Sequence, residues 1–176
     1  MPLEPLIANV ESRDHEVVQR AAVEGDAPWL FELRKIAVAE RLPLEGLPSG
    51  QRTQLIEAQT RVEQQAWRRA YPAALPRVVV RDSRPVGSVL LDQDDETLLL
   101  VDIVLLPTER GRGVGTMVLR RLRAEAAPRR LRLHVSKNSR PFRWYARLGF
   151  RIAEETALHV CMELTPLALD SHGEHQ

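Results

Sequence analysis

Glu109-Arg110-Gly111-Arg112-Gly113-Val114-Gly115-Thr116 is the stretch on which the reading of this chain turns. An almost unbroken apolar run, Leu98 to Leu106, precedes it, and an amphipathic segment, Met117 to Ala126, follows it. A strand that bends through glycines into a helix aims several backbone N–H groups at one spot. The helix dipole adds partial positive charge there, so the spot suits phosphate oxygens. Arg110 and Arg112 contribute full charges on fork-shaped donors. The plainer account of Gly113 and Gly115 is a tight helix start with close packing.

Working outward, the period of the apolar residues changes twice. Before the bend, Glu16 to Val23 reads as a short strand, and Asp26 with Pro28 marks a helix start, Asp26 as the N-cap. Leu30, Leu33, Ala37 and Val38 recur at helical spacing. Pro43 to Gly50 breaks the pattern, and a second helix is expected from Arg52 to Ala70, with Leu55, Ile56, Val62, Ala66 and Trp67 as its buried side. Arg77–Arg81, Val86–Asp92 and Thr97–Leu106 then read as three strands. The continuous apolar character of the third predicts that both of its faces are covered. After the helix that follows the bend, Leu131–Ser136 reads as a strand and Asn138–Leu148 as a helix closed by Gly149. Arg151–Glu154 and Leu158–Leu164 read as a closing hairpin. The order is β-α-α-β-β-β-α-β-α-β-β, an α+β chain on a mixed sheet. Residues 1–15 are expected to be an N-terminal extension, 16–165 one domain, and 166–176 a C-terminal tail.

Composition narrows the function classes. The chain has 176 residues, 44% hydrophobic and 28% charged, which suits one globular domain. A net charge of +1 gives no overall pull toward nucleic acid or a membrane surface. The arginines crowding 110–132 raise a nucleic-acid patch as a weaker alternative, one that near-neutral net charge opposes. Cys161 is the only cysteine, so no internal disulfide forms. No apolar run approaches a membrane span, and no signal peptide is visible, so a cytoplasmic location is expected. No metal site is expected; His172 and His175 fall in the polar tail.

Three phosphate motifs carry glycines of this kind. A Walker loop needs a Lys-Ser or Lys-Thr pair, which Val114-Gly115-Thr116 lacks. A dinucleotide fingerprint needs different glycine spacing and a βαβ unit in place of the preceding hairpin. The third, R-x-x-G-x-G after a strand ending in proline, is met by Pro107, Arg110, Gly113 and Gly115. Here the chain resembles the GNAT superfamily of N-acetyltransferases. Ile103 through Thr116 looks like that family's acetyl-CoA motif. Asn138-Ser-Arg-Pro-Phe-Arg-Trp-Tyr-Ala-Arg-Leu-Gly-Phe150 looks like its second motif, N-x-x-A-x-x-x-Y-x-x-L-G-F, with Pro141 where alanine is usual.

The resemblance implies a GNAT-like three-layer fold with a seven-stranded mixed sheet. The strands at Thr97–Leu106 and Leu131–Ser136 would splay apart. Acetyl-CoA would be the cosubstrate. Its pantetheine arm would pair with the backbone of Ile103, Val104 and Leu105, and its pyrophosphate would rest on Arg110, Gly111, Arg112, Gly113, Val114, Gly115 and Thr116. Asn138 would lie beside the CoA chain, or act as a simple N-cap. Lys137, Arg140 and Arg143 are candidates for the outer phosphate, or solvated charges. Tyr145 is the candidate general acid toward the leaving thiolate, its plain alternative being a buried aromatic like Trp144. An unperturbed phenol titrates near ~10 and a thiol near ~8.5, so proximity or a lowered phenol pKa is needed. Asp102 and His134 are both candidates for the base. Glu154 and Glu155 either attract a cationic acceptor or form an ordinary turn, and the Pro43–Gly50 loop is expected at the acceptor pocket.

The expected activity is transfer of an acetyl group to a primary amine of a small molecule or peptide. The alternative is a non-catalytic acyl-CoA-binding module that acts in regulation or assembly. A homodimer is compatible with the family.

Overall fold

The computed structural model describes residues 16–137 and 139–165. Asn138, His172, His175, the extension and the tail lie outside the described residues. The elements are β1 (Val17–Ala21), α1 (Ala27–Ala39), α2 (Ser49–Ala70), β2 (Leu75–Arg81), β3 (Arg84–Gln93), β4 (Thr97–Leu105), α3 (Val114–Ala126), β5 (Arg130–Ser136), α4 (Arg140–Arg147), β6 (Arg151–Glu155) and β7 (His159–Leu164). This is the expected order. The strands form one seven-stranded sheet, β1-β2-β3-β4-β5-β7-β6, in which only β4 and β5 run parallel.

Alternation along the strands divides the core between the two faces of the sheet. Leu98, Leu100, Leu131, Leu133 and Val135 point to one face, where Val118, Leu119 and Leu122 of α3 meet them with Tyr145 of α4 and Phe150. Residues such as Val78 and Val104 point to the other face, which α1 covers with Leu33 and Val38. Thr97–Leu105 is therefore covered on both sides, which is why it reads as a continuous apolar run. At one border of the sheet lies β6, every residue of which is exposed. A register shift between Ile152 and Glu154, with Arg151, Glu154 and Glu155 on the strand, guards that edge against pairing with another chain.

Two local expectations change. Asp26 stands at the N-cap of α1, but its side chain makes no capping hydrogen bond. It accepts from both Arg20 Nη atoms at 2.6 and 2.8 Å and from the Val23 N–H at 2.8 Å. The Arg20 hydrogen bonds hold its carboxyl at about 2. A carboxyl held below its unfolded value contributes stability above the unfolded pKa, and that contribution fades as pH falls toward the folded one. Thermal melts of the wild type should therefore fall between about pH 4 and pH 2 more steeply than those of Asp26→Asn, and parallel slopes would refute the linkage.

The buried side of α2 is also different. Leu55 and Val62 are 41% and 59% exposed, and Ala66 is exposed. Ile56, Trp67 and the fully buried Thr60 face inward instead. α2 rests on α1 rather than on the sheet, so its inward stripe is narrow.

Candidate active site

The site begins where the sheet opens. β4 and β5 pair only from Thr97–Leu100 against Arg130–Leu133. Beyond Leu100, β4 stays with β3 as far as Leu105 opposite Gly87. Beyond Leu133, β5 stays with β7 as far as Ser136 opposite His159. The two strands thus follow different neighbours and diverge. The cause is local: the β3 register shifts between Leu90 and Leu91, so Val101 is an extra residue and β4 bends there. Ile103, Val104 and Leu105 lie along the opened stretch, and Asp102 and His134 stand at its mouth.

A short 3₁₀ turn, Pro107–Glu109, leads from β4 into the glycine bend. Gly111 and Gly113 take φ of 73° and 81°, a region costly for residues with a Cβ. Gly113 is the N-cap of α3, and no side chain caps the helix. The amides of Val114, Gly115 and Thr116 therefore open the helix without an intrahelical partner. The first helical bond runs from the Met117 N–H to the Gly113 carbonyl at 3.0 Å. Gly115 serves packing: a Cβ there would lie 3.0 Å from two ring carbons of Trp144.

Arg110 of the bend is already engaged elsewhere. Arg110 Nη1 donates to both Glu40 carboxylate oxygens at 2.8 and 2.9 Å, and its Nε donates to the Leu105 carbonyl at 3.1 Å. Arg110 thus ties the bend to the end of α1. Arg112 lines a surface cavity of about 360 Å³ with Arg81, Asp82, Arg84, Val86 and Glu109. Arg81 binds Glu109 there at 2.9 Å. The bend is held by an ion pair on either side, which fixes its amides without using them.

Tyr145 lies in α4, whose N-cap is Ser139: its hydroxyl accepts from the Phe142 N–H at 3.1 Å. The helix starts at Arg140, so the N-cap account of Asn138 gives way to Ser139. The phenol ring is buried, 4.9 Å from the Trp144 centroid and 5.5 Å from that of Phe150. Among the described residues its hydroxyl has no hydrogen-bond partner. Burial raises its pKa well above the ordinary phenol value, and the charge of Asp102 raises it further. A lowered phenol pKa is therefore not what the fold provides. Tyr145 stays protonated throughout the physiological range.

Asp102 faces away from α3, toward α1. Arg34 Nη1 donates to both of its carboxylate oxygens at 2.8 Å. Arg34 Nη2 donates to Glu63 of α2 at 2.6 Å, and Arg41 Nη2 donates to both Glu63 oxygens at 2.9 Å. The guanidinium of Arg34 lies 4.3 Å from the Trp67 ring centroid. Burial raises the Asp102 pKa, against the pull of Arg34. For Glu63, burial acts upward, but hydrogen bonds from Arg34 and Arg41 outweigh it and the pKa falls. Sequence reasoning missed Arg34 and Glu63. The available signal was mutual: Arg34 interrupts an apolar helical stripe, and Asp102 interrupts an apolar strand. Two such interruptions in a small core predict each other.

The remaining candidates separate. His134 alternates with buried Leu133 and Val135, so it also faces away from α3, and it is exposed. Lys137 pairs with Glu155, and Arg132 approaches Glu154 at 3.5 Å, so these carboxylates already have cations. Arg140 and Arg143 are exposed on α4. No group of His, Cys, Asp and Glu among the described residues has the arrangement of a metal site. No described helix is long and apolar enough to cross a membrane.

The sequence model of the Acetyltransferase (GNAT) family matches residues 44–150. The fold is similar to that of PaiA N-acetyltransferase from Thermoplasma acidophilum in complex with coenzyme A, at 18% identity and a TM-score of 0.60, covering 85% of this chain and 99% of that one. It is similar to an acetyltransferase from Thermus thermophilus, at 19% identity and a TM-score of 0.61, covering 86% and 97%. It is also similar to the spermidine/spermine N-acetyltransferase SpeG from Vibrio cholerae, at 17% identity and a TM-score of 0.58, covering 84% and 92%. No curated protein sequence matches.

Proposed function

The chain belongs to the GNAT acetyltransferase family, whose cosubstrate is acetyl-CoA, and we propose that it acetylates a primary amine of a small molecule or peptide by direct attack. Three features together carry this reading: the opened β4 edge, the uncapped amides of α3, and the phenol of the buried Tyr145, close enough to Asp102 to feel its charge.

The residues divide the work. The amides from Gly111 to Thr116 receive the diphosphate, with no particular side chain required. The backbone of Ile103–Leu105 receives the pantetheine amides as an added strand would. Asp102 takes a proton from the acceptor ammonium, so that the nitrogen lone pair forms the C–N bond. As the C–S bond breaks, the Tyr145 hydroxyl gives its proton to sulfur, and the second nitrogen proton restores the phenol through water. Even an unshifted phenol gives its proton to a thiolate at a cost of about 2 kcal/mol. The raised pKa makes this steeper, so position and timing with C–S cleavage carry the step. Asp102 is the better placed base, because Arg34 fixes it at the mouth while His134 stands in solvent. The loop between α1 and α2 forms the acceptor wall, and the reading places the enzyme in the cytoplasm.

The test is thiol release from acetyl-CoA against a panel of polyamines, amino acids, aminoglycosides and peptide N-termini. Turnover with at least one amine is expected. Tight acetyl-CoA binding with no turnover on any of them would favour the non-catalytic acyl-CoA module.

A further inference from the structure

Arg34 is the one cation in the core of the described residues. Its side chain is 9% exposed, and its Nε is buried without a hydrogen-bond partner. Such a group is expensive to keep: replacing a buried ion pair by packed apolar residues is often neutral or stabilising. A site that needed only α1 packed on β4 would be served by leucine. The arginine instead hydrogen-bonds β4 at Asp102, the carboxylate at the mouth of the opened strands.

We propose that Arg34 is a positioning residue for acetyl transfer, which holds both oxygens of Asp102 with one nitrogen while Glu63 of α2 holds the other. This rests on the reading of Asp102 as the base. The geometry has three consequences. The carboxylate cannot rotate away, because one nitrogen holds both oxygens. Arg34 cannot rotate away either, because Glu63 and the Trp67 ring fix its other end and its face. The helices of the acceptor wall and the strand of the acetyl-CoA site therefore share one charge network, Arg34, Arg41, Asp102 and Glu63, with a formal charge of zero. The charged and titratable groups that act on Asp102 come from every element around it: Arg34 of α1, Arg41 beyond it and Glu63 of α2, with Tyr145 of α4 across the opening.

The sign of the effect is fixed. Burial pushes the Asp102 pKa up and Arg34 pulls it down. Without the guanidinium, Asp102 protonates at higher pH and the base is lost sooner as pH falls.

The experiment is the pH profile of kcat/KM for wild type, Arg34→Met, Arg34→Lys and Asp102→Asn, with thermal melts of each and acetyl-CoA affinity by calorimetry. In Arg34→Met the acidic limb should move up by about 1–3 pH units, the usual effect of a guanidinium on a neighbouring carboxyl, with acetyl-CoA affinity within about twofold. Arg34→Lys restores the charge but not the fork, so its limb should fall between the two. A limb that stays in place in a folded Arg34→Met overturns the proposal. If that variant does not fold, a limb for Arg34→Lys superimposed on the wild type overturns it equally. Asp102→Asn separates the two levels: survival of the limb in that variant refutes Asp102 as base. Its disappearance, with Arg34 variants unshifted, refutes only the role given to Arg34.

Discussion

Tyr145→Phe should lower kcat by about 10²–10⁴ and leave acetyl-CoA affinity unchanged. The substitution removes one oxygen and keeps the ring, so the contacts at 4.9 Å to Trp144 and 5.5 Å to Phe150 survive. Among the described residues the hydroxyl has no hydrogen-bond partner, so its removal strands no buried donor or acceptor. Melting temperature should hold or rise slightly, which makes this a clean test of chemistry. Because burial raises the phenol pKa, the wild type should show no loss of activity from Tyr145 ionisation below about pH 10. Single-turnover thiol release at saturating acetyl-CoA would measure the chemical step directly. An unchanged rate would return Tyr145 to the status of a core aromatic.

The second large effect is expected at the glycine bend. Gly113 takes φ of 81° with nothing within 4 Å of where a Cβ would stand. The obstacle to a larger residue is thus backbone strain and not collision. A β-branched residue in that region costs about 1–3 kcal/mol, and the loop relieves it by re-aiming the amides that open α3. Gly113→Val should weaken acetyl-CoA binding at least about tenfold, equivalent to about 1.4 kcal/mol, with a smaller change in kcat at saturation. Gly113→Asn should bind more nearly as the wild type does, because asparagine tolerates this conformation. Calorimetric titration with coenzyme A distinguishes the two. Equal affinity for Gly113→Val would show that these amides are not where the diphosphate rests.

Features set by neighbouring residues are readable along the chain. The apolar run of β4, the glycines after it, the β-branched residues of β2 and Gly149 at the end of α4 each announce a local backbone state. Even there, one-residue choices differ from what the spacing suggests. Ser139 caps α4 where the motif begins at Asn138, because neighbouring polar residues compete for one amide at nearly equal energy. Asp26 serves Arg20 in place of its helix, because a hydrogen bond from a guanidinium is stronger than one from an amide. Leu55 and Val62 read as inward-facing and are not, because apolar spacing on α2 says which residues share a face, not whether a partner covers it.

The sequence by itself determined the order of the elements, the strand-to-helix bend and the helix that carries Tyr145, since these follow from steric limits on φ and from apolar period. Tertiary structure decided how the charges are spent. It turned Arg110 to Glu40, gave Lys137 to Glu155, and joined Arg34 to an aspartate 68 residues away. Ion pairing depends on distance in space, and in a folded chain that distance is set by how β4 bends and where α1 lies on it. No spacing along the chain encodes it.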